Sequence, residues 1–106
     1  MNQMSPPPPP VPPPAGWMIG VMIEADGAPA QRHYFAVSKP DRNRAEWAAV
    51  DQALTTGTVA TSPSGGSEPV EAVAPLTAAT FKAMGMGQGQ VRALGSRWPR
   101  RWMVRP

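Results

Sequence analysis

The sequence predicts an α+β fold, a small antiparallel or mixed sheet of three to four strands with two helices packed on one face, in the order β-β-α-(β)-β-α-(β). Three observations predict it. Alternating apolar residues in Trp17–Ile23 and His33–Val37 flank a cluster of turn residues, which is the pattern of a hairpin. The stretch from Ser38 to Gly57 repeats apolar residues at helical spacing. A shorter stretch, Thr77 to Gly85, carries helix signals at both ends.

The first strand covers Trp17 to Ala25. Trp17, Ile19, Val21 and Ile23 alternate onto one face, with Met18 and Met22 on the other. Apolar residues on both faces predict a central strand covered on each side, or on one side by a second copy of the chain. Asp26 and Gly27 supply a reversal, in a loop expected to be longer than two residues because Pro29 cannot continue a ladder. Arg32 to Ser38 is the return strand.

The first helix follows. Ser38 is the expected cap, with Asp41 three residues on and Pro40 in the first turn, where its missing N–H costs nothing. Trp47, Val50 and Leu54 form the expected buried stripe, with Ala49 and Ala53 allowing a close approach to the sheet, and Gly57 ends the helix. Thr58 to Thr61 is a possible short strand, and Ser62 to Pro69 a loop too polar to bury much. Val70 to Ala74 reads as a strand. Thr77 then caps the second helix, Leu76 and Phe81 form a hydrophobic staple, and Gly85 takes the left-handed stop. Gln90 to Leu94 is a last short strand or extended segment.

This places one small domain at residues 17–94, between a proline-rich arm at 1–16 and a Trp/Arg tail at 95–106, disordered or docked back on the body. "SPPPPPVPPP" fixes φ and lacks N–H donors, so it is extended, but no Lys or Arg flanks it to orient a docked ligand. In the body six basic side chains stand against seven acidic ones, and the four arginines of the tail supply the excess that makes the chain +3. A nucleic-acid-binding domain would be expected to carry its basic face on the folded part. Eight arginines against two lysines, with abundant Ala, Pro and Gly, suggest the codon usage of a GC-rich, bacterial genome.

With no cysteine, thiolate metal sites, disulfides and cysteine nucleophiles are excluded. No apolar run approaches the roughly 20 residues of a membrane-spanning helix, and no charged start precedes an apolar core as in a secretory signal. A cytoplasmic protein is expected. His33 is the only histidine, so an imidazole metal set is not expected. The glycines of "GMGQG" follow a helix, whereas phosphate loops open one. No convergent pair of carboxylates is evident. No cofactor and no metal are expected, and the chain reads as a non-enzymatic binding or accessory module, most simply a protein–protein interaction domain.

The candidate partner-binding residues are Arg97, Trp98, Arg100, Arg101, Trp102 and Arg105. Arginine with tryptophan suits an unidentified protein partner, since both dominate interface hot spots. It also suits nucleic acid, with guanidinium on phosphate and indole on a base, or an anionic membrane surface. A homodimer through the two-faced first strand is the further partner expected.

Overall fold

The computed structural model describes residues 14–63 and 66–103. Residues 1–13 of the proline arm, Ser64 and Gly65 of the long loop, and Arg105 lie outside the described residues. Four strands and two helices follow one another as β1 (Gly16–Ala25), β2 (Ala28–Val37), α1 (Arg42–Ala53), β3 (Val70–Leu76), α2 (Ala78–Met84) and β4 (Val91–Gly95). The strands form one antiparallel sheet in the order β3-β1-β2-β4. The class and the order of elements agree with the sequence reading.

β1 is interior, paired with β2 on one side and β3 on the other. The hairpin turn is shorter than expected. Asp26 and Gly27 alone connect Ala25 to its partner Ala28, and Gly27 takes φ 67°, a conformation open to glycine without strain. Pro29 is tolerated inside β2 because it lies where the ladder slips, between the Ile23–Gln31 and Ala25–Ala28 pairs. Thr58–Thr61 is not a full strand. Val59 makes a single bridge to Ile23, with Ala60 N–H donating to the Met22 carbonyl at 2.9 Å. The edges are modest: β3 contains Pro75, and β4 has five residues.

Both faces of β1 are covered within the chain, so the strand needs no second copy. On one face Ile19, Val21 and Ile23 join Phe35 and Val37 of β2 beneath Ala45, Ala49 and Ala53 of α1. On the other, Met18, Tyr34 and Ala36 pack with Leu76, Phe81, Met84, Met86 and Met103. The helices therefore do not share a face as expected. α1 lies on one side of the sheet, while α2 and the C-terminal stretch cover the other. The physical reason is the double-sided apolarity of β1 and β2: with one layer only, either the isoleucine or the methionine row would face water.

The helix signals were only partly right. Asp41, not Ser38, caps α1, and its Oδ1 accepts from the Arg44 N–H at 2.9 Å. Ser38 instead stays with the sheet, donating its N–H to the Gln90 carbonyl at 2.9 Å. Thr77 caps α2 by accepting from the Thr80 N–H at 3.2 Å, Leu76 and Phe81 share one cluster, and Gly85 closes the helix at φ 71°, all as expected. Gly16 is demanded by packing. A Cβ there would overlap the Val37 carbonyl oxygen and approach the Phe81 ring within 2.6 Å. At Gly20 the stem of Arg32 lies across the bare backbone, and its guanidinium reaches Glu71 on β3.

Candidate interaction surfaces

The tail candidates separate by residue type. Gly95, at φ 85°, turns the chain out of β4 and back over the Tyr34 side of the sheet. Trp98 meets Tyr34 edge-on, with ring centroids 5.6 Å apart and planes at 86°, a favoured aromatic geometry. Pro99 starts a turn in which its carbonyl accepts from the N–H groups of Trp102 and Met103, both at 3.0 Å. Met103 is buried, and Trp98 and Trp102 are half-buried against the same cluster. Arg97, Arg100 and Arg101 are exposed, and the Arg101 guanidinium stands 4.8 Å from the centre of the Trp102 ring. The indoles thus fasten the stretch to the sheet, and the guanidinium groups stay in water.

A surface that the sequence reading missed lies on α1. Trp47, Val50 and Leu54 were expected in the core. Trp47 is instead 70% exposed and Leu54 57% exposed. The residues that face the sheet are Ala45, Ala49 and Ala53, all fully buried. Alanines at four-residue spacing make a flat strip that sits directly on the branched side chains of β1 and β2. A tryptophan on the same side would hold the helix away from the sheet. Trp47 and Leu54, seven residues apart, are left together on the outward face. The Ala45-Ala49-Ala53 repeat is visible in the sequence, where Ala49 and Ala53 flank the expected Trp47 stripe, but which of the two stripes meets the sheet depends on the strands opposite.

Charge sharpens this face. The first turn of α1 holds no acidic residue and the last turn no basic one. Arg42 and Arg44 stand near the N-terminal end and Asp51 near the C-terminal end. Apart from the Asp41 cap, this is the reverse of what the helix dipole favours. Arg42 Nε is 3.7 Å from Glu46 Oε1, while Arg44 and Asp51 have no ion-pair partner among the described residues.

His33 is half-buried in β2 opposite Val21, and its ring has no ion-pair or hydrogen-bonding partner among the described residues. No three of His, Cys, Asp and Glu gather as a metal site among the described residues. No described helix is long and apolar enough to cross a membrane. Comparisons with protein-family models, curated proteins and solved structures found no significant match.

Proposed function

We propose that the protein is a non-enzymatic protein-binding module whose contact surface is the outer face of α1. The observation that carries this reading is Trp47, an indole left 70% exposed beside Leu54 on a helix that buries only alanines. Such residues gain most from a partner, because a large apolar side chain contributes about 1.5–3 kcal/mol on full burial, and tryptophan is enriched at interface hot spots. The reversed charge pattern favours a second copy of the chain as that partner. An antiparallel α1 would set Arg44 of each copy toward Asp51 of the other and oppose the two helix dipoles, and a two-fold axis makes such a contact self-complementary.

Sedimentation of the full-length chain over a range of concentrations tests this. The wild type is expected to self-associate, and the double variant Trp47→Ser/Leu54→Ser to sediment as a monomer with its thermal midpoint nearly unchanged. A wild type that stays monomeric at the highest concentrations overturns the homotypic contact.

A second reading is favoured by three exposed guanidinium groups, Arg97, Arg100 and Arg101, on the docked tail. They suit phosphates of a nucleic acid. With both indoles turned toward the sheet, recognition would rest on charge rather than base stacking. Affinity would then fall with salt at a slope of about −0.9 per phosphate contacted on duplex DNA, and replacing the three arginines by glutamine would abolish it.

A further inference from the structure

Where β2 ends and the two helices begin, the structure holds a cavity of about 600 Å³. Its volume lies within the range typical of small-molecule sites, roughly 300–1,000 Å³. Three cationic residues line it, each from a different segment. Lys39 comes from the connection after β2, Arg44 from the first turn of α1, and Lys82 from α2. None of the three has an ion-pair partner among the described residues. Asp41 is the only carboxylate in the wall among the described residues; it accepts from the Arg44 N–H as the cap of α1, and three cations against it leave the lining with net positive charge.

Like charges gathered around a concavity repel one another, and the low-dielectric wall focuses their field into it. An anion placed there relieves both. Apart from Gln88 and Ser38 the rest of the lining is mainly apolar, with Phe81 and Met86 both buried. Ser38 adds a polar group to the wall. It is only 7% exposed, and its two backbone groups are used, the N–H by Gln90 and the carbonyl by the Gly89 N–H at 2.7 Å. Its hydroxyl makes no hydrogen bond among the described residues and is a further polar group that a ligand in the cavity could use.

We propose that this cavity binds a small organic anion. Its carboxylate, sulfonate or phosphate sits among Lys39, Arg44 and Lys82, and its aromatic or aliphatic body rests on Phe81 and Met86. A bare inorganic anion uses the charges but not the apolar wall. A neutral hydrocarbon uses the wall but leaves the charges unrelieved. The site shares Arg44 with the proposed homotypic contact but contains neither Trp47 nor Leu54, and the test below replaces only Lys39 and Lys82, so either proposal can fail without the other.

The test uses the full-length protein and two fluorescent probes of similar shape, anilinonaphthalene sulfonate and the uncharged N-phenylnaphthylamine. The sulfonate is expected to bind saturably with one site per chain, and to shift the amide resonances of Ser38, Lys82 and Gly89. The double variant Lys39→Gln/Lys82→Gln, checked for an unchanged thermal midpoint, should weaken sulfonate binding about tenfold or more and leave the neutral probe unaffected. Inorganic phosphate at equal concentration should compete poorly. The proposal is overturned if the sulfonate does not saturate, if the double variant binds it as tightly as the wild type, or if its resonance shifts centre on Trp47. Sulfonate binding that inorganic phosphate displaces at equal concentration would overturn the organic class in favour of a simple anion site.

Discussion

The two faces of the sheet are built on opposite plans. On the α1 side the strands present tall branched and aromatic residues, Ile19, Val21, Ile23, Phe35 and Val37, and the covering helix contributes only alanines. On the α2 side the sheet is uneven, with Gly16, Gly20 and Ala36 leaving hollows beside Met18 and Tyr34, and the cover is large: Phe81, three methionines and two tryptophans. Side-chain height is complementary across each interface, as close packing of an interior requires. The difference teaches that one helix suffices over a tall surface, whereas a hollow one recruits a short helix and the chain that follows β4.

Substitutions that reverse these plans test the comparison. The largest effect is expected on the hollow face. Phe81→Ala removes the ring that fills the space above Gly16 and should cost about 3–5 kcal/mol. A core of this size rarely supplies more than about 3–5 kcal/mol, so urea denaturation should find the variant largely unfolded without denaturant. The α1 face should respond to the opposite change. Ala49→Leu overfills a closed contact and should cost about 1–3 kcal/mol, visible as a lower urea midpoint. Ala49→Gly, which adds no volume, should cost the helix-propensity difference of about 1 kcal/mol and about 0.8 kcal/mol more for the buried methyl it removes. If leucine is tolerated there, the alanine strip is not in close contact with the sheet.

A smaller effect is expected from Trp98→Ala. Loss of the edge-on contact with Tyr34, worth about 0.5–1.5 kcal/mol beyond area burial, should lower the melting temperature by several degrees, since 1 kcal/mol is about 4–8 °C for a domain of this size. The shift should be the same at low and high salt, because the contact is apolar. A salt-dependent shift would mean that the arginines, not the indole, hold the stretch in place. The smallest effect belongs to Trp47→Ser. As a surface change it should alter stability by no more than about 0.5 kcal/mol, measured at concentrations low enough to keep the chain monomeric.

The fold was legible at most points where a local rule acts alone, the cap of α1 and the hairpin turn excepted. The alternation in Trp17–Ile23, the cap at Thr77, the staple of Leu76 with Phe81 and the left-handed Gly85 each depend on residues within a few positions, and each is found as read. Legibility was lost where the outcome depends on what lies opposite. Whether α1 turns Trp47 or Ala49 to the sheet is decided by the height of β1 and β2, which no reading of the helix alone contains. The separation of the two helices onto opposite faces is likewise a property of the whole sheet. The cationic cavity was beyond reach for the same reason, since Lys39, Arg44 and Lys82 are scattered in sequence and meet only after folding.

The modest edges of the sheet bear on how copies of this chain can meet. Pro75 deprives β3 of one donor on its rim, and β4 offers only a five-residue margin. Strand-to-strand addition, the route by which sheets propagate into fibrils, finds a poor template at either border. Assembly is thereby steered away from open-ended growth and toward closed contacts made by side chains.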